Sequence, residues 1–449
     1  MNRPLAADAG HIATLPVAGE PDFAALHAWD PERYPFLLQS TARSDDLGRF
    51  EILFACPGEP LQAGNDGAFL DALDDAFLDE YATLDSPLPF TGGWFLYLGY
   101  ELAGEIERGL DLEQDTLLPR AFAVRCRAAL TRDLDKGTVV LVAETDSGID
   151  PHKIAAEVAD DIAASLALPL ASSDNVIASL EEEPPGRFLA AVRKASDYIV
   201  AGDIYQANLS REWQVTAREE IDATALFRSL AAANPAPFAG IMHWQGKEVV
   251  SSSPERLLNV TNGYASTRPI AGTRPRADND VADRALLDEL IAHPKERAEH
   301  VMLIDLERND LGRVCLPGSV AVTEMMVIES YAHVHHIVSN VQGRLRDGVL
   351  PGEIISAVFP GGTITGCPKV RCMEIISELE DGPRGAYTGS FGYLNRDGSM
   401  DINILIRSIV VDGKRASFRA GSGIVADSVP EAELEETRAK AKGLVRALA

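Results

Sequence analysis

The chain of 449 residues is 46% hydrophobic and carries 41 Lys plus Arg against 68 Asp plus Glu, for a net charge of −27. That acidic surplus excludes nonspecific nucleic-acid binding and docking on anionic lipid, and it obliges any anionic substrate to be held by a few local cations or a metal. Cys56, Cys126, Cys315, Cys367 and Cys372 lack paired CxxC spacing, which with no signal-like or bilayer-length apolar run predicts a soluble protein of the reduced cytoplasm.

In chain order, FLLQSTA, RFEILFAC and GTVVLVAE are short apolar runs between turn formers and predict strands. FLDALDDAFLDEYATL has helical spacing. The Pro-, Ser- and acid-rich segment from Pro169 to Phe188 reads as a linker, dividing residues 1–170 from residues 187–449. After it, RFLAAVRKASDYIVAGD places Phe188, Val192, Ala195 and Ile199 on one helical face, with Gly202 near the end. IYQANLSREWQV turns to strand composition. RPIAGTRPR (Arg268 to Arg276) reads as a loop with three arginines around Ala271. HPKERAEHVMLIDLERND predicts a helix with Pro294 in its first turn. HVHHIVSNVQGRL alternates like a strand, and EAELEETRAKAKGLVRAL closes the chain as a helix. Strands and helices mix without regular alternation, which predicts an α+β fold with antiparallel sheets rather than a doubly wound parallel one.

Several residue groups could carry chemistry. Glu433 and Glu436 share a helical face with Lys440 one turn on. They are either a solvated helix start or part of a Mg2+ site, which needs one or two hard carboxylates and leaves room for water and substrate oxygen. Glu299 is a plausible further ligand. FPGGTITGCPK precedes a helical stretch and GSGIVAD is a second glycine loop; neither is a Walker loop or a dinucleotide fingerprint, and each alone reads first as a tight turn. His333, His335 and His336 crowd one strand, where His335 and His336 point to opposite faces and so do not share a metal. Glu255 is a surface acid or, if partly buried, a general acid. Cys367 lacks the G-x-C-x-G surroundings of a class I glutaminase nucleophile.

Together, GDIYQANLSR, SSSPERLL, RPIAGTRPR, KERAEHVMLIDLERNDLGRV, HVHHIVS, FPGGTITGCPKVRCMEIISELE, GSFGYL, MDINILIRS and GSGIVADSVPEAELEET resemble the chorismate-utilising enzymes from Arg187 to the end. That resemblance implies large interwoven antiparallel sheets packed as a sandwich with helices outside, an N-terminal subdomain over 1–170 and a chorismate-binding domain over 187–449. It implies Mg2+ held by Glu299 and Glu436, with Glu433 beside them, gripping the ring carboxylate. Arg407, Lys440 and the backbone of Gly421 to Gly423 would clamp the enolpyruvyl carboxylate. Gly272, Thr273, Thr365 and Tyr393 match further pocket positions. Glu255 matches the acid that protonates the departing C4 hydroxyl, and His336 the histidine facing substrate. The arginines around Ala271 would only brace the turn presenting Gly272 and Thr273.

Gln206 stands where the isochorismate- and salicylate-forming members place a lysine base, so the resemblance implies ammonia as nucleophile, supplied by a separate class I glutaminase subunit. Two branches then remain. Ala271 gives PIAGT, as in the anthranilate-forming branch, and removes the covalent lysine of PIKGT. LPFTGGWFLYLGYELAGEIE, NPAPF, SSSPERLL and FPGGTITGCPK resemble the branch that makes 4-amino-4-deoxychorismate, and that branch is the one expected. FLLQS replaces the LLES of tryptophan-inhibited members, although Ser40, Arg49, Phe50, Pro237 and Phe238 still match a tryptophan pocket. A catalytically silent subunit that binds only chorismate or tryptophan is disfavoured by the intact Glu255, Glu299, His336, Arg407 and Lys440.

Overall fold

The computed structural model describes residues 11–43, 47–62, 68–84, 86–146, 148–167, 177–277, 279–330 and 334–449, with backbone alone at 273, 275, 280, 294, 295 and 334. Twenty strands among these residues join into one hydrogen-bonded network, and every pairing in it is antiparallel. Two sheets share the long strands Phe50–Gln62 and Ala121–Asp133. In one sheet Phe36–Gln39 pairs with Phe238–Trp244, and Arg415–Ile424 pairs with Gln206–Ala217. In the other, Gly93–Leu98 pairs with Ser390–Asn395, and Arg256–Thr261 lies between Met400–Asn403 and Tyr264–Thr267. Strands from before residue 170 and after residue 187 therefore join side by side in the same sheets, Phe36–Gln39 against Phe238–Trp244 and Gly93–Leu98 against Ser390–Asn395.

Side-chain alternation builds the layers. Phe36, Phe54 and Met242 turn inward with Phe95, Phe122 and Phe391, where Phe36 stacks on Phe95 and Phe122 on Trp244 at centroid distances of 3.9 Å. Their neighbours Leu37, Leu53 and Ile241 turn outward onto helices that include Phe23–Trp29, Ala223–Ala233 and Pro430–Leu448. The second sheet's outer face packs Leu96, Leu258 and Leu394 against helices Phe69–Glu80, Pro294–Gly312 and Pro351–Val358. The result is the sandwich with helices outside that the sequence implied.

Local expectations held where periodicity was strong. The helix Pro185–Ala201 buries Phe188, Val192 and Ala195 and ends on Gly202 at φ 83°, the left-handed cap that glycine adopts without a Cβ penalty. The segment read as a linker is different. Ile177–Glu182 is a strand on Gln206–Ala217; residues 168–176 lie outside the described residues. Its acids are ion-pair partners: Glu182 receives the fully buried Arg211 at 2.6 Å and Arg438 at 2.7 Å. Charge pairing, invisible in composition, turned an acidic run into structure. No helix among the described residues is long and apolar enough to cross a membrane.

Candidate active site

The floor of the site is two paired strands. Gly423 faces Asn208 and Gly421 faces Ser210 across the ladder, so Gln206, Asn208, Gly421 and Gly423 share one face. GSGIVAD is therefore strand through Ile424 rather than a glycine loop. Crowding explains the glycines: a Cβ on Gly421 would sit 2.6 Å from Asn208 Oδ1 and 2.7 Å from Tyr387 Oη, and one on Gly423 2.6 Å from Gln206 Nε2.

At one end of this floor Gln206 Nε2 donates to Glu299 Oε1 at 3.0 Å, while Gln206 Oε1 is buried without a partner among the described residues. Glu299 comes from the helix Pro294–Gly312 and lies 3.6 Å from the Cβ position of Gly423. The C-terminal helix follows directly from the floor strand and begins with Glu433, buried, and Glu436, exposed and paired with Lys440 Nζ at 2.8 Å. The sequence-expected clamp residue Lys440 is thus engaged by a sequence-expected metal ligand. Among the described residues no cluster of three or more acidic, His or Cys side chains forms a metal cage. The donor set still fits Mg2+: hard carboxylate oxygens, few in number, with the orphan carbonyl oxygen of Gln206 nearby.

Above the floor stands Glu255, 5% exposed, with Oε1 lacking a partner among the described residues. Burial raises its pKa from 4.5 to about 7, opposed by the Thr363 hydroxyl, the Ile270 N–H and the charge of Lys440. A carboxyl group so poised can hold a proton at neutral pH. Glu307 lies behind it, driven upward by burial and by Asp310, whose carboxylate pairs with Lys369 at 2.5 Å. His336 is buried, and desolvation with the nearby Arg407 charge lowers its pKa to about 4. It therefore meets a ligand as neutral imidazole.

The far end of the floor is cationic. Arg407 adopts φ 55°, and its Nη1 donates to Asn234 Oδ1 at 3.1 Å. Among the described residues no carboxylate pairs with it, and burial lowers its pKa, partly offset by Tyr387. A desolvated guanidinium without a counter-ion is a prepared seat for an anion.

The sequence-expected residues divide accordingly. Glu255, Glu299, Gly421, Gly423, Arg407 and Lys440 gather here. RPIAGTRPR is largely a strand, Ile270–Pro275, rather than a loop. Gly272 sits at a break in register with φ 63°, and a Cβ there would strike Glu296 Oε2 at 2.0 Å. The three arginines do brace it: Arg268 bonds Glu329, Arg274 bonds Glu289 and Glu296, and Arg276 bonds Asp283. The Thr273 side chain and all of His333 lie outside the described residues. His335 turns away from His336 and bonds Asp283 and Ser330.

Two expected residues sit apart from the groups above. Thr365 is fully buried and its hydroxyl donates to Gly361 O at 2.9 Å; Thr363, two residues earlier on the short turn, faces Glu255. Tyr393 lines a separate cavity of about 260 Å3 with Ser40, Arg49, Phe50, Pro237 and Phe238; the tyrosine at the active floor is Tyr387. Neither Thr363 nor Tyr387 carried a periodic signal, because each sits in an irregular turn.

The pattern that defines the chorismate binding enzymes matches residues 38–446. The chain is 39% identical over 412 residues, 90% of its own length and 83% of the other's, to the anthranilate synthase component I-like protein of Synechocystis sp.. It is 49% identical over 262 residues, 58% of its own length and 55% of the other's, to aminodeoxychorismate synthase component 1 of Bacillus subtilis. Its fold superposes on crystalline anthranilate synthase component I of Streptococcus pneumoniae with TM-score 0.79 and 30% identity, covering 90% of this chain and 93% of that one.

Proposed function

This chain belongs to the chorismate-binding enzymes, and from that premise we propose that it is component I of an aminodeoxychorismate synthase, converting chorismate and ammonia to 4-amino-4-deoxychorismate. The observation that carries the reading is Gln206: a neutral carboxamide tied to Glu299 stands at the floor's edge, and it cannot take a proton from water at neutral pH. The nucleophile is then a free amine. The 49%-identical relative bearing the aminodeoxychorismate synthase name supports this branch.

In this reading Glu299 and Glu436, with Glu433 adjacent, would hold Mg2+, which when bound would supply positive charge for the ring carboxylate on an acidic protein. Arg407 and Lys440 hold the enolpyruvyl carboxylate over the Gly421–Gly423 floor, which requires Lys440 to leave Glu436. Glu255 gives its proton to the C4 hydroxyl, which departs as water while ammonia bonds to C2 and the ring double bonds shift. The carboxylate takes back a proton from the new ammonium. A second ammonia bonds to C4, and the C2 amine leaves as ammonia with the proton returned by Glu255. The methyl of Ala271 offers no amine for a covalent route.

Ala271 also favours a second reading, anthranilate synthase component I, in which the C2 amine stays and pyruvate is lost. Incubation with chorismate, Mg2+ and ammonium at raised pH separates the two by mass spectrometry. The expected product retains the enolpyruvyl group and yields 4-aminobenzoate, the folate precursor, only after a separate lyase is added. Fluorescent anthranilate with stoichiometric pyruvate would replace this reading by the second. Glutamine is expected to support turnover only with a separate class I glutaminase subunit, because Cys367 stands in no glutaminase signature.

A further inference from the structure

Arg407 would grip an anion only if its guanidinium is held in one direction, and the residue that holds it is outside the site as described so far. The Arg407 backbone sits in the left-handed region at φ 55°, which residues with a Cβ rarely adopt, and the Ser252 N–H donates to Arg407 O at 3.0 Å. Among the described residues the guanidinium makes one hydrogen bond, from Nη1 to Asn234 Oδ1 at 3.1 Å. Asn234 is itself fixed on every side. It follows the helix Ala223–Ala233, its N–H donates to Leu230 O at 2.8 Å, and its carbonyl receives the Ser252 hydroxyl. Its Nδ2 donates to Ser252 O at 3.3 Å, which turns the amide so that Oδ1 faces Arg407. Behind it passes the helix Pro430–Leu448 at Gly443, three residues beyond Lys440 and on the same helical face. A Cβ on Gly443 would lie 3.0 Å from Asn234 Cβ and 3.2 Å from Oδ1. Asn234 is thus wedged between the segment that carries Arg407 and the helix that carries Lys440.

We propose that Asn234 is a positioning residue that holds the Arg407 guanidinium in its anion-binding orientation. The inference rests on the chorismate reading above and adds to it a residue that touches no substrate. Ordering a long, rotamer-rich side chain at the moment of binding weakens affinity, and a neighbour that orders it beforehand removes that cost. The neutral amide does so without cancelling the positive charge that an anionic ligand needs, which a carboxylate in its place would cancel.

The test is a double-mutant cycle on the full chain, with Asn234→Ala, Arg407→Ala and the two combined, assayed with chorismate, Mg2+ and ammonium. Asn234→Ala should raise KM for chorismate about 3- to 10-fold, with kcat changed far less. A purely structural loss would instead reduce the folded fraction and so lower the apparent kcat at unchanged KM. In the Arg407→Ala background the same substitution should add nothing to KM, because no guanidinium is left to orient. A KM in the double variant that rises further by about the same 3- to 10-fold overturns the proposal, as does a wild-type KM in Asn234→Ala or a loss confined to kcat. If Asn234→Ala does not fold, Asn234→Ser, which keeps a polar group beside Ser252 but is one bond shorter towards Arg407, replaces it in the cycle with the same expected outcomes. Calorimetry with chorismate and Mg2+ but no ammonium separates the two ideas: no binding by wild type sinks the chorismate reading, whereas equal binding by wild type and the Asn234 variant sinks only the role of Asn234.

Discussion

The two cavities are built from similar residue types but differ in how their charges are compensated. In the cavity around Phe50 and Phe238, every arginine is spent. Arg49 grips Asp133 through Nε and Nη2 at 3.1 and 2.7 Å, and Arg256 grips Asp401 at 2.8 and 2.9 Å. Each guanidinium also lies over an aromatic ring, of Phe50 and Phe238 respectively. Ser40 donates to Pro237 O at 2.6 Å. At the glycine floor the reverse holds: Arg407 has no carboxylate among the described residues, and Glu255, Gln206 and Asn208 each bury an oxygen without a partner. The first cavity is complete without a ligand; the second is not. Unpaired buried polar groups cost free energy that a ligand can recover, which is the ground on which the proposed function places substrate at the glycine floor.

The widest expected effect tests the metal end of that cavity. Glu299→Gln or Glu436→Gln should abolish Mg2+-dependent turnover; a wild-type rate in either removes the metal from these carboxylates. Next comes Glu255→Gln, expected to lower kcat about 10^2- to 10^4-fold. The same substitution carries a stability signature with a definite sign. Folding raises the Glu255 pKa to about 7 from 4.5, so between those values the unfolded chain holds fewer protons and stability falls as pH rises. Unfolding free energies from urea titrations at pH 5 and pH 8 should therefore diverge less in Glu255→Gln than in wild type, by an amount on the order of 1–3 kcal/mol; equal pH dependence would mean Glu255 is not desolvated.

The arginines give the most direct contrast. Arg407→Ala should raise KM for chorismate about 10- to 100-fold with little loss of stability. Arg49→Ala should leave turnover intact and change stability little, because its pair with Asp133 is solvent-screened on the arginine's side. Interchanged outcomes would invert the assignment of the two cavities. Smallest is the effect of tryptophan, whose pocket pattern the residues of the Phe50 cavity match, since a cavity with its charges already paired gains little from a ligand. At millimolar concentration it should raise the melting temperature by a few degrees and lose that effect in Ser40→Phe, which fills the space; an equal shift in both places tryptophan elsewhere.

Much of this was legible before the fold was known. The 3.6-residue spacing of Phe188, Val192 and Ala195 fixed a helix and its buried face, and Pro294 fixed a helix start. The alternation in HVHHIVSNV placed His335 and His336 on opposite faces, where they stand. What failed were positions governed by distant partners. The acidic run at 181–183 reads as part of a linker, whereas Glu182 within it is bound by Arg211 and Arg438. Thr363, which faces Glu255, and Tyr387, beside Gly421, carried no sequence signal, because which hydroxyl an irregular turn directs toward a distant strand is set by packing.

By itself the sequence determined the inventory: which segments alternate, which coil, and that acids, glycines and one arginine recur in an order suited to a dianion. Those are properties of residues within a few positions of one another, set by backbone periodicity and side-chain chemistry. Tertiary structure alone decided which of those groups are left without partners. Gln206, Asn208, Glu255 and Arg407 are separated by up to 201 residues, 407 less 206, and only the packing of the floor strands against their neighbours buries the first three and leaves the part-buried Arg407 without a carboxylate among the described residues, while pairing Arg49 and Arg256 elsewhere. Desolvation without compensation is a property of the assembled layers, and it is what turns a list of polar residues into a site.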